Sequence, residues 1–96
     1  MSEKITKETL REDSISQGGL IYEYRLFKRI SLRVASYKIP LYSVSVRLTD
    51  GDEITESALN DVFSDIGKAT VFYEQLVRHL VTPIDLPYIL EDSVKI

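Results

Sequence analysis

Two stretches of alternating side chains constrain this chain more than any other feature. Leu20, Tyr22, Tyr24 and Leu26 fall on one parity, with Glu23, Arg25 and Arg29 on the other. That period of two is the signature of a strand with one face buried. Ile21 and Phe27 interrupt the polar parity. A second run sets Tyr42, Val44, Val46 and Leu48 against Ser43, Ser45 and Arg47, and its β-branched and aromatic content suits a pleated, half-buried surface. Pro40 belongs at the start of this strand or on an edge, because it donates no ladder hydrogen bond. The segment Ser31–Tyr37 is too short for a crossover helix, so the two strands are neighbours in an antiparallel meander.

Thr49-Asp50-Gly51-Asp52 marks the next turn. Closed as a two-residue Asp-Gly loop it puts Arg47 opposite Ile54. Closed as a three-residue loop with Gly51 in a left-handed bulge, it puts Arg47 opposite Glu53 and Val46 opposite Ile54. The second option matches charge with charge and apolar with apolar, so it is the expected one. It leaves Glu56 opposite Val44 on the core side. The apolar phase also slips between Ala58, Leu59 and Val62, which places a bulge or an early strand end there.

Beyond Val62 the period becomes helical. Ile66, Ala69, Tyr73, Leu76, Val77 and Leu80 recur at spacings of three and four, one stripe of a helix of about four turns. Ser64 or Asp65 caps its start, and Val81-Thr82-Pro83 ends it, since the residue before a proline leaves the helical region. A short last helix over Leu86–Ser93 starts from Asp85, tolerates Pro87 in its first turn, and has Leu86, Ile89, Leu90 and Val94 on one side. The expected fold is α+β: a three-stranded antiparallel meander packed against a long helix and a short carboxy-terminal helix, in the order β-β-β-α-α.

Residues 1–17 are polar without a sustained apolar period and end at Gly18-Gly19, which reads as a joint. They are expected to form a mobile or weakly helical arm, with residues 18–96 as the single domain. At 96 residues, such a chain buries about 65% of the surface it exposes when unfolded, enough for one modest core. The absence of cysteine removes disulfides, thiolate metal sites and a thiol nucleophile. No apolar run reaches the roughly 18 residues of a membrane-spanning helix, and the amino terminus lacks the apolar stretch of a signal peptide. A cytoplasmic protein without membrane contact is expected.

Val81-Thr82-Pro83-Ile84-x-Leu86 and Ile89-Leu90-Glu91-Asp92, preceded by an amphipathic helix and an Asp61-Val62 step, resemble a small family of uncharacterised proteins from anaerobic Gram-positive bacteria. Members of that family commonly read V-T-P-x-x-L-x-x-V-I/V-E-D. Here Leu90 takes a position that is often β-branched, and Pro87 replaces an ordinary helix former. The resemblance implies architecture and bacterial origin, and it brings no activity, cofactor or catalytic residue.

The residues themselves offer little catalytic chemistry. Glu91 and Asp92 are adjacent carboxylates, but neighbours on a helix diverge by about 100°, which is poor convergence for acid–base work or metal ligation. Negative charge near a helix carboxy terminus is also disfavoured, so the expectation is structural: a bond to Arg25, Lys28, Arg29 or backbone amides. With Thr82 and Pro83, they are read as a structural motif. His79 is the sole histidine and falls off the apolar stripe, as a surface residue would. No G-x-S-x-G nucleophile pattern occurs, and Gly18-Gly19 precedes a strand, not the helix start that a phosphate cradle needs. No enzyme, metal or cofactor is expected.

Charge is distributed unevenly. The formal net charge is −3, yet residues 24–49 carry six bases and no acid, while residues 50–96 carry ten acids and three bases. Arg25, Arg29 and Arg47 share the polar parity of their strands and would form a basic stripe, with Phe27 and Tyr37 nearby. A positive sheet face with aromatic rings is one way to hold single-stranded nucleic acid. The acidic half can neutralise the stripe internally, so nucleic acid is the second reading. The first is a protein partner or a second copy of the chain, met through Ile21 and Phe27 on the face that should be polar, with Tyr37 in the same candidate surface, either as a patch or by β-augmentation at an edge strand.

Overall fold

A computed structural model of the chain describes residues 7–34 and 37–89, the side chains of 31–39 apart. Four strands form one antiparallel sheet in sequence order: β1 (Lys7–Gln17), β2 (Leu20–Val34), β3 (Tyr37–Asp50) and β4 (Glu53–Phe63). A single helix, α1 (Ile66–Arg78), and a helical turn at residues 86–89 follow. The expectation of three strands and two helices is therefore wrong. The additional strand comes from the segment read as an arm, and the described part of the last helix is one turn.

The misreading of β1 has a physical cause. It is an edge strand that reaches past most of the core, so nearly all its residues stay exposed and no alternation is needed to bury a face. Gly18 and Gly19 are not a flexible joint. Both adopt positive φ, 61° and 82°, and they close a two-residue hairpin between the paired Gln17 and Leu20, the backbone that a primed turn demands. Beyond Leu26 and Arg11 the pairing shifts by one residue, so that Thr9 faces Phe27 and Leu10 sits in the irregularity.

The alternation in the two central strands is decisive for register. Tyr24 pairs with Val46 and Leu26 with Val44, all four fully buried. The second hairpin matches neither option derived from the sequence. Gly51, at φ 61°, and Asp52 form a two-residue loop that pairs Asp50 with Glu53 and Arg47 with Glu56. This register moves Glu56 to the face away from the helix, where its charge is met. Both sequence-derived registers treated Gly51 as the end or middle of the loop, whereas it occupies the first loop position, where positive φ suits a two-residue turn. An irregularity falls between Leu59 and Phe63, within the region where the apolar phase slips. Pro40 lies inside β3, opposite Ile30, but β4 ends at Phe63 opposite Tyr42, so β3 is an edge strand at that point.

Helix α1 starts at Asp65, whose carboxylate accepts from the Lys68 amide at 3.0 Å. Ala69, Phe72, Tyr73 and Leu76 are its buried residues, so the contact stripe includes Phe72 and leaves Ile66 exposed. The helix ends at His79 in a Schellman arrangement: Leu80 N–H donates to the Val77 carbonyl and Val81 N–H to the Leu76 carbonyl. Val81 and Leu76 are both buried, which supplies the apolar contact of that motif. Leu80 holds the left-handed position at φ 48°, usually a glycine's place.

The Val81-Thr82-Pro83-x-x-Leu86 segment is structural in each part that is described. The Val81 carbonyl accepts from the Tyr24 hydroxyl at 3.0 Å, the Thr82 hydroxyl donates to Asp85, and Pro83 and Leu86 are buried. Leu90, Glu91 and Asp92 lie outside the described residues.

A helix of 13 residues is about 20 Å long, whereas the 15 residues of β2 extend about 50 Å. The helix therefore shields the middle of one sheet face and no more. Tyr24, Leu26, Tyr42, Val44 and Val46 from the sheet meet Ala69, Phe72, Tyr73 and Leu76 there, with Phe63 and Phe72 rings 5.2 Å apart. The molecule is correspondingly flat, 49 × 37 × 18 Å.

Candidate interaction surface

Strand parity puts the residues that alternate with the core on the sheet face away from α1. Cross-strand pairing orders them in rows. Ser16, Ile21, Thr49 and Ile54 form the row nearest the hairpin turns, followed by Ser14, Glu23, Arg47 and Glu56, then by Glu12, Arg25, Ser45 and Ala58. Thr9, Phe27 and Ser43 come next, and Lys7, Arg29 and Leu41 beyond them.

The three arginines of the expected stripe do share this face, but none presents an unmatched charge. Arg47 Nε lies 2.6 Å from Glu56 Oε1, and Arg25 Nε lies 3.3 Å from Glu12 Oε2. Arg29 engages Asp61 with two guanidinium nitrogens, Nε at 3.2 Å from Oδ1 and Nη2 on Oδ2. That hydrogen bond, more than the Coulomb attraction, raises the Arg29 pKa above its ordinary value. Glu12 and Asp61 stand where no basic segment could foresee them, one on the added strand and one in the β4 irregularity.

Asp61 is held in that irregularity by its backbone. Its φ is 56°, and its N–H donates to the Ser43 hydroxyl at 2.8 Å, which explains why Ser43 is buried on a polar face. Aspartate tolerates the left-handed region better than most residues. The conformation turns its carboxylate back towards Arg29.

Of the expected partner residues, Ile21 is 40% exposed, and the chemically similar Ile54, two strands away in the same row, is 61% exposed. Phe27 is half-buried, and the Lys7 ammonium lies 4.1 Å from its ring centroid. Part of the role expected for a partner at Phe27 is thus filled by β1. Tyr37 lies at the start of β3, at the other end of the sheet from Ile21, and its side chain is outside the described residues. Ile21, Phe27 and Tyr37 do not form one patch. Ile54 could have been found from the sequence only with the correct β3–β4 register.

Glu23, Arg25, Ser45, Arg47, Glu56 and Ala58 line an open depression of about 310 Å³ on this face. Its charged groups are the ion-paired residues already described, together with Glu23. Among the described residues no group of three His, Cys, Asp or Glu could hold a metal ion, no buried side-chain nitrogen or oxygen lacks a hydrogen-bond partner, and no helix is long and apolar enough to cross a membrane.

The opposite face carries a polar latch between α1 and β1. The Tyr73 hydroxyl lies 2.7 Å from Asp13 Oδ2 and 3.0 Å from the Tyr24 carbonyl. Arg11 spans the same place, stacked on the Tyr73 ring at 5.2 Å and paired with Glu74 at 3.4 Å and Asp13 at 3.7 Å. Burial pushes the Tyr24 phenol up to about 12, and burial followed by the bond to Asp13 raises Tyr73 as well.

These elements define a class: an α+β domain in which one helix lies on a four-stranded antiparallel meander and the other sheet face carries a neutral ladder of ion pairs. The chain belongs to a family of unknown function (DUF6514), whose model matches residues 3–95. No curated protein and no solved structure matches it significantly.

Proposed function

We propose that this protein is a small non-enzymatic interaction module, which contacts a protein partner, a second copy of itself included, through the sheet surface that α1 leaves uncovered. One observation carries the reading. Among the described residues no element packs on the outer sheet face, yet Ile21 and Ile54 stand exposed there beside a balanced set of charges. Arg25, Arg29 and Arg47 are ion-paired on that face with Glu12, Asp61 and Glu56, and Lys7 and Glu23 add one charge of each sign. A neutral polar surface with apolar points at its end suits a protein more than a polyanion.

The double substitution Ile21→Thr and Phe27→Ser tests it. The variant should keep the circular dichroism spectrum of the parent while losing association on a sizing column. Unchanged elution would count against this face as an interface.

Single-stranded nucleic acid remains the second reading, and the arginines lend it little support, since each is committed to an acid. A fluorescence titration with mixed-sequence single strands should find no salt-sensitive binding, because salt sensitivity arises when protein cations displace counterions from phosphates. Binding that weakens steeply with salt would reverse the order of the two readings.

A further inference from the structure

The first half of β1 lies against the sheet without being built into the core. Residues 7–12 are all exposed, whereas Asp13 and Ile15 are half-buried, the one bonded to Tyr73 and the other packed against the core. Helix α1 packs on β2, β3 and β4, and it meets this half of β1 at the Arg11 side chain, which pairs with Glu74 and lies over the Tyr73 ring. The ladder to β2 also shifts register between Thr9 and Arg11. A segment that buries so little apolar surface and is held by screened charges belongs to the least stable part of a fold.

What these residues cover gives their opening a consequence. Lys7 stands 4.1 Å over the Phe27 ring, Thr9 lies opposite Phe27, and Glu12 pairs with Arg25 at 3.3 Å. Phe27 and Arg25 both belong to the outer sheet face, and in the folded chain their cover is the chain's own strand. We propose that residues 7–12 are an autoinhibitory strap, which lifts from β2 while the rest of the fold stays intact and so bares Phe27 and frees Arg25 for a protein partner. The bond from Tyr73 to Asp13 and the packing of Ile15 form the root at which lifting stops, so the turn at Gly18-Gly19 stays closed. Lifting replaces a neutral surface by one with an uncovered ring and an unmatched cation. The partner it admits carries a carboxylate to take the place of Glu12 on Arg25. The proposal rests on the interaction reading above and adds its regulation.

Hydrogen exchange on the full chain tests the opening, and a cross-link tests its consequence. Amides of residues 8–12 that bond β2 should exchange well ahead of the paired amides of β2 and β3, and dilute urea should not change their rates, because lifting exposes little surface. High salt should speed them, since it screens the Arg11–Glu74 and Glu12–Arg25 pairs. Glu8 and Lys28 are direct partners in a chain without cysteine, so Glu8→Cys with Lys28→Cys can close a disulfide across the strap and leave Phe27 and Arg25 unchanged. Oxidised, this variant should lose both the fast exchange and the association seen on a sizing column, and reductant should restore both. Strap amides that exchange only with global unfolding would overturn the strap and leave the interaction reading standing. An oxidised variant that associates as well as the reduced one would overturn the inhibition in the same way. Failure of both forms to associate, with the strap still opening, would sink the interaction reading and the inhibitory role with it.

Discussion

The Tyr73 hydroxyl reaches the Asp13 carboxylate at 2.7 Å, across 60 residues of sequence, and so fastens the outermost strand to the only full helix described. Few other groups hold β1 from the helix side, since its residues are largely exposed. Tyr73→Phe removes a hydrogen bond to a charged acceptor and should cost about 1.5 kcal/mol in urea denaturation. Amide exchange separates a latch from general packing: protection at residues 11–15 should fall by more than the global loss of stability accounts for.

The two buried phenols make the protein sensitive to alkali. Tyr24 titrates at about 12, and Tyr73 is also raised, so the native state holds those protons more tightly than the unfolded chain, where tyrosine titrates near 10. A raised native pKa contributes stability that is complete below pH 10 and is lost as pH rises from 10 through 12. Urea midpoints should therefore be flat with respect to these groups below pH 10 and should decline above it. The rise of tyrosinate absorbance in the near ultraviolet should lag for Tyr24 and Tyr73 until the protein unfolds.

Leu80 closes the helix from the left-handed region, at φ 48°, and is not among the residues packed on the core. Glycine adopts that backbone without a Cβ penalty. Leu80→Gly should raise stability by about 0.5–1 kcal/mol, less than the full strain because glycine also loosens the unfolded chain. Leu80→Ala keeps the Cβ and should give no such gain, and thermal denaturation of the pair checks both.

At Asp61 the backbone strain and the ion pair can be separated. Asp61→Asn keeps a residue that tolerates positive φ and removes the charge, so it should destabilise only slightly, as the loss of a solvent-screened pair does. Asp61→Val adds the steric penalty of a β-branched residue at φ 56° and should cost about 2 kcal/mol or more. High salt should narrow the difference between wild type and Asp61→Asn while leaving the valine penalty nearly intact.

Several of the chain's local features were readable from residue types alone. The parity of Tyr24, Leu26, Val44 and Val46 marks the buried face of the central hairpin, because a period of two leaves only one way to bury them. A cap at Ser64 or Asp65, of which the structure uses Asp65, the stripe through Ala69, Tyr73 and Leu76, and the helix end before Pro83 follow from local hydrogen bonding and sterics. What tertiary structure alone decided was everything that depends on a partner distant in sequence. Lys7–Gln17 is a strand because β2 supplies its hydrogen bonds, not because its own side chains alternate. Glu56 faces outward because Gly51 takes the first place in the turn, which slides β4 along β3. Arg25, Arg29 and Arg47 look like a basic stripe in the linear order and are paired in the fold, since backbone register brings Glu12 and Glu56 beside two of them and the left-handed turn at Asp61 supplies the third. Period and capping act over a few residues and leave their mark in the sequence; register is a choice among competing long-range pairings, and it is made only when the strands meet.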